Sequence, residues 1–248
     1  VTTIANRAFY QCLSLDGIVL PYGLTVIEES TFYYCRSLTV INFPSILTTI
    51  RTEAFASCTG LRNFTFPSSL TTIDSSAFSY CGTLTTVTIP GGVYTIGERA
   101  FSNCSHLETV IIQDGVHEIG SIAFANNIAL RTVTMANSVV VLGYSAFQGD
   151  VSLNSIVLST SLQSIGQTAF LTCASLTEIN LPSSLLSIGS SAFSNCTGLT
   201  AITIPLGVVS IGAGAFASCS SLTITAYNAS DKTSWNASWN GGRTVILI

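Results

Sequence analysis

The stretch Ala192-Phe193-Ser194-Asn195-Cys196-Thr197-Gly198-Leu199-Thr200-Ala201-Ile202-Thr203-Ile204-Pro205 decides the fold, because each of its landmarks returns at a fixed distance along the chain. Its phenylalanine recurs every 23 residues, at Phe9, Phe32, Phe55, Phe78, Phe101, Phe124, Phe147, Phe170, Phe193 and Phe216, with no insertion. A constant period of this size marks a solenoid, in which each turn packs only on its neighbours. Each ring is then expected to touch the one above and the one below.

Counted from each Phe, the sixth position is always leucine, from Leu15 to Leu222. The ninth is Ile, Val or Phe in every turn but the last, where the count falls on Thr225. The eleventh is mostly large and apolar, and all six prolines fall on the twelfth. Apolar residues two apart with polar ones between are the pattern of a strand with one inward face. Proline ends that strand because it cannot donate to the ladder. Parallel strands about 4.8 Å apart predict one continuous sheet roughly 45 Å long. The fifteenth and eighteenth positions are aliphatic, and Gly follows the eighteenth in six turns, from Gly97 to Gly212, where a sharp bend is expected. The short segment leading into each Phe is predicted to be a helical turn or 3₁₀ piece, with Ala and Phe inward.

These columns resemble the repeat of BspA-like leucine-rich-repeat proteins, over ten consecutive 23-residue units from Val1 to about Thr225. The resemblance implies an α/β-type solenoid, right-handed and curved, with a parallel sheet on one face and short helical pieces elsewhere. It also implies a cell-surface or secreted protein that adheres to host matrix proteins, host cells or other microbes. It brings no shared catalytic residues and no particular ligand.

Composition narrows the function further. Charged residues make up 8% of the chain, against about 25% in ordinary domains, and the net charge is −4. With a single lysine, Lys232, and no basic stripe, nucleic acid is not an expected partner. No apolar run is long enough to span a membrane. The opening Val1-Thr2-Thr3-Ile4 matches Leu47-Thr48-Thr49-Ile50, so the chain starts inside the pattern, as a trimmed or processed product would.

All eight cysteines sit three residues after a Phe, at Cys12, Cys35, Cys58, Cys81, Cys104, Cys173, Cys196 and Cys219, and Asn127 and Asp150 complete the column. Equivalent side chains in a stack point the same way, whereas a disulfide wants facing Cβ atoms about 3.5–4.5 Å apart. Free, buried thiols giving weak S–H bonds to carbonyls are therefore expected. Asn127 suits such a slot. Asp150 does not if ionised, and Asn127 is placed to donate to it. No metal-ligand spacing or cofactor motif is present, so neither metal nor cofactor is expected.

Other features read as structure. His106 and His117 are expected to be solvent-facing loop residues without a third catalytic partner. From Ala226 the columns vanish, so residues 226–248 are read as a C-terminal cap on a 1–225 solenoid. Trp235 and Trp239 would share a face of a short helix there, and Thr244–Ile248 reads as a final strand. Sequons begin at Asn63, Asn103, Asn195, Asn228 and Asn236.

Function is then sought in the outward strand positions. The expected site spans Arg62, Asn63, Thr65, Thr86, Thr88, Glu108, Thr109, Arg131, Thr132 and Thr134, on the face that lines the concave side of leucine-rich repeats. A non-enzymatic module binding an unidentified host or microbial protein or glycan is the first reading. An architectural stalk presenting another domain is the second. Ice binding has little support, since Thr86/Thr88 and Thr132/Thr134 alone form the paired pattern.

Overall fold

The computed structural model describes residues 2–227 and 235–247; the sequon at Asn228 lies outside them. The chain is a parallel-strand solenoid of ten turns built on two ladders, where the sequence had predicted one sheet. The first ladder uses the expected strands: Gly17–Val19, Val40–Asn42, Thr86–Ile89, Thr109–Ile112, Thr132–Met135, Ser155–Val157, Ala201–Ile204, Thr223–Ala226 and Thr244–Leu247. The second is an unbroken run of nine two-residue strands at the seventeenth and eighteenth columns, from Val26–Ile27 to Ser210–Ile211. Pro21, Pro44, Pro90 and Pro205 follow strands as expected, whereas Pro67 and Pro182 follow segments that form none; the carbonyl of each of the six closes a tight turn, as from the Leu47 N–H to Pro44 at 3.0 Å.

Between the ladders lies the Phe column. Its nine successive ring pairs stack with centroids 5.1–5.6 Å apart and planes within 13° of parallel. From Phe32 to Phe216 every one of these rings is fully buried.

The segment around each Phe is not helical, which corrects the expectation of helical or 3₁₀ pieces; the described residues contain no helix. Its backbone alternates in hand instead. Residues two before and two after the Phe are left-handed, as at Ser30 (φ 52°) and Tyr34 (φ 62°) around Phe32. Even β-branched Ile122 adopts φ 60°, a costly conformation for such a side chain. The reason is hydrogen bonding. The N–H groups of Ser30, Phe32 and Tyr34 donate to Thr52, Ala54 and Ala56 of the next turn at 2.8–3.0 Å, while those of Tyr33 and Cys35 close local turns. A helix would spend its N–H groups along its own axis and leave none to join the stack.

The first ladder is interrupted twice, at residues 63–66 and 178–181. At the first gap Phe43, Phe64 and Phe66 occupy inward columns held elsewhere by aliphatic residues. They crowd one another and Phe78, with Phe64 at 5.0 Å from Phe78 and Phe43 at 5.6 Å from Phe66. The side chain of Asn63 bridges the gap. Its Oδ1 accepts from the N–H of Thr85 at 3.0 Å and of Thr86 at 3.1 Å, and its Nδ2 donates to Thr85 Oγ1. In an ordinary turn a backbone carbonyl does this work, as Glu108 does for Arg131 and Thr132.

At the C-terminal end the register slips. Ala201 pairs with Thr223 and Ile202 with Ile224, so the tenth turn is one residue short. Fully buried Ile224, not Thr225, therefore fills the inward position. Strand Thr244–Leu247 then pairs with Thr223–Ala226. Trp235 lies in a bend and Trp239 in a turn rather than a helix, the two rings edge to face at 4.9 Å, and Trp239 sets its ring against Phe216 at 6.0 Å.

The cysteines are free, and all but Cys12 are buried. Seven thiols donate to the Phe carbonyl of the preceding turn at 3.0–3.3 Å, beginning with Cys35 to Phe9. Asn127 reaches Phe101 in the same way at 3.1 Å and also Phe124 at 2.6 Å. Asp150 is met by the backbone N–H of Asn127 at 2.7 Å, not by its carboxamide. Burial pushes the Cys35 thiol up to about 11 and that of Cys104 up to about 12, and raises Cys58, Cys81, Cys173, Cys196 and Cys219 as well. Because the thiolate is the nucleophile, a thiol reagent at neutral pH should reach half-exposed Cys12 first in the folded protein. Unfolding without reductant should then release all eight thiols; a titre near zero would mean disulfides.

Candidate binding face

Strands Thr86–Ile89, Thr109–Ile112, Thr132–Met135 and Ser155–Val157 form the longest unbroken stretch of the first ladder. Their inward residues Val87, Val110 and Val133 are buried, which fixes the opposite face outward. Register aligns two outward columns. One is Thr86, Thr109, Thr132 and Ser155, and the other is Thr88, Ile111, Thr134 and Val157. The Thr132 hydroxyl donates to that of Thr109 at 3.1 Å. Ile111 (43% exposed) and Val157 (55%) place apolar surface among these hydroxyls. Exposed Glu108 and Arg131 precede the strands and supply one charge of each sign.

Of the residues singled out from the sequence, Thr86, Thr88, Thr109, Thr132 and Thr134 thus share one sheet, with Glu108 and Arg131 at its rim. Arg62, Asn63 and Thr65 do not join it; they lie on the turn where the ladder is broken. The carboxamide of Asn63 is hydrogen-bonded to Thr85 and Thr86. Ile111 and Val157, outward by the same alternation, stand in register with Thr134 on this face.

The histidines sit apart from any such surface. His106 is exposed and its Nδ1 meets the Gly82 carbonyl and the Ser105 hydroxyl. His117 is not simply solvent-facing: it is half-buried, stacks on Tyr94 at 4.3 Å and bonds the Gly115 carbonyl through Nδ1. Nδ1 meets a carbonyl acceptor in both rings, which favours the tautomer protonated there. Among the described residues no cluster of His, Cys, Asp and Glu has the arrangement of a metal site. No described helix is long and apolar enough to cross a membrane.

The sequence model for the BspA type leucine rich repeat region matches residues 2–131 and 118–237, in six copies. The chain belongs to the BspA-type leucine-rich-repeat family. Comparison with curated proteins finds no match. Among solved structures, a leucine-rich repeat protein from Eubacterium ventriosum is 25% identical, covers 73% of this chain and 58% of its own, and superposes with a TM-score of 0.59. The pneumococcal vaccine antigen PcpA is 20% identical over 94% of this chain and 68% of its own, at a TM-score of 0.56. A leucine-rich cell-surface protein from Faecalibacterium prausnitzii is 26% identical over 98% of this chain and 86% of its own, at a TM-score of 0.48. The BspA-type repeat therefore accounts for the inward columns, while the outward ones differ from turn to turn within this chain.

Proposed function

We propose that this chain is a non-enzymatic binding module of a cell-surface or secreted protein, and that it takes a host or microbial protein or glycan on the sheet face from Thr86 to Val157. The observation that carries the reading is that face itself. It sets aligned hydroxyls beside exposed Ile111 and Val157 on a rigid, four-stranded surface. Exposed β-branched side chains on a fixed backbone lose little entropy when covered, and the hydroxyls between them give direction through hydrogen bonds. Family membership supports the same reading.

The test replaces Thr86, Thr88, Ile111 and Thr134 by Ser and Arg131 by Gln together, which strips methyl groups and one charge while keeping outward polarity. Binding to a panel of host matrix proteins and glycans should weaken at least about tenfold, or 1.4 kcal/mol, with the circular dichroism spectrum unchanged. Undiminished binding by the folded variant would remove this face. Absence of any binding by the wild-type chain would favour the stalk.

A further inference from the structure

The second gap in the first ladder opens a cleft. Residues 178–181 form no strand, and strand Ala201–Ile204 pairs on its far side with Thr223–Ala226. Between them lies a space of about 500 Å³ lined by Glu178, Asn180, Ile202, Thr203, Leu206 and Tyr227 among others. Glu178 is the single charged residue between Val151 and Ser230, so it stands alone in an otherwise neutral stretch. It is exposed, and no salt bridge reaches it among the described residues.

Among the described residues no salt-bridge partner offsets the Glu178 carboxylate, which sets the sign of the local potential there. Tyr227, 43% exposed, adds an aromatic ring to the same cleft. A carboxylate and a ring attract a cation by two separate terms, the charge and the quadrupole of the π face. Exposed, apolar Leu206 can receive the methylene stem that such a cation carries in proteins. Asn180 and Thr203 offer acceptors to the remaining N–H groups. An anion would meet Glu178 uncompensated.

We propose that this cleft takes an organic cation on an aliphatic stem, the side chain of a lysine or arginine of a protein partner. It is separate from the threonine-lined face, and the face variant described above leaves it intact, so the two readings fail independently.

The test titrates the isotope-labelled chain with N-acetyl-lysine-methylamide, using the norleucine analogue as an uncharged control of similar shape. Amide shifts should concentrate at residues 178–181, 201–204, Leu206 and Tyr227 and saturate in the millimolar range. Glu178→Gln should weaken binding about fivefold, and added salt should weaken it for wild type but not for the variant. Unshifted amides in the second ladder would show that the variant is folded. Equal binding of the norleucine analogue, equal affinity of Glu178→Gln, no shift at the solubility limit of the probe, or a preference for glucosamine over the lysine probe would each overturn the proposal.

Discussion

Phe124→Ala should lower the stability of the solenoid by about 3–5 kcal/mol, the usual cost of truncating a core Phe. The ring is fully buried and stacks on Phe101 and Phe147, each 5.5 Å away. Its loss removes two ring contacts and leaves a void that the ladders on either side resist closing. Stability in a solenoid is approximately a sum of turn and interface terms, so a weak interior rung also uncouples the arrays flanking it. The midpoint of thermal unfolding should fall by about 6–20 °C, and the transition should broaden or divide. Phe9→Ala should cost much less, because that ring is only half-buried and stacks on Phe32 alone. Equal losses at Phe9 and Phe124, by calorimetry under identical conditions, would mean that the column is not the cooperative spine.

The contrast between these two rings also shows what the sequence could convey. A 23-residue count without insertions transmits burial directly, so Phe, Leu and Cys columns were legible from identity and spacing. The second ladder was not, because strands two residues long have no alternation to read, and Ile50 or Ile73 explains itself as core. The left-handed positions carry no mark either. Around the Phe column they fall mostly on residues such as Ser30, Tyr34, Glu53 and Ile122, with glycine at Gly149 and Gly214 alone, because bonding between turns imposes the conformation. The one-residue slip that brings Ile224 inward left a single trace in the sequence, polar Thr225 at the ninth position, but only the pairing of Ile202 with Ile224 gives its meaning. For the face, alternation identified the outward threonines, but their grouping depended on where the ladder breaks. That break follows from three phenylalanines packing together across turns, a tertiary event. The lone charge of Glu178 was visible as an anomaly, whereas its company with Tyr227 required the stack.

Asp150→Asn should stabilise the protein at neutral and alkaline pH and leave it nearly unchanged in acid. Asp150 is fully buried, and its Oδ2 is the one buried side-chain nitrogen or oxygen without a hydrogen-bond partner among the described residues. The groups beside it in the column are Asn127 on one side and the Cys173 thiol on the other, so no cation offsets a negative charge. Burial pushes its carboxyl well above the ordinary range, against the smaller opposing effect of the Asn127 N–H. The repeat says where the proton belongs. At this position seven thiols and the Asn127 amide donate to the Phe carbonyl of the preceding turn, which for Asp150 is Phe124. A neutral carboxyl can make that bond and a carboxylate cannot.

The sign follows from linkage. A folded value above the unfolded one means that the native state holds more protons, so stability is full below the unfolded value near 3.9 and declines as pH rises. The decline is about 1.4 kcal/mol per pH unit and ends where the folded carboxyl itself ionises. Asparagine supplies the donor without a proton to lose, so the difference between variant and wild type should grow with pH from about 4 upward. Urea midpoints of both proteins across that range measure it, and all other titrating groups cancel in the comparison. A difference that stayed flat, or wild type gaining on the variant as pH rose, would show that Asp150 is ionised in the native stack.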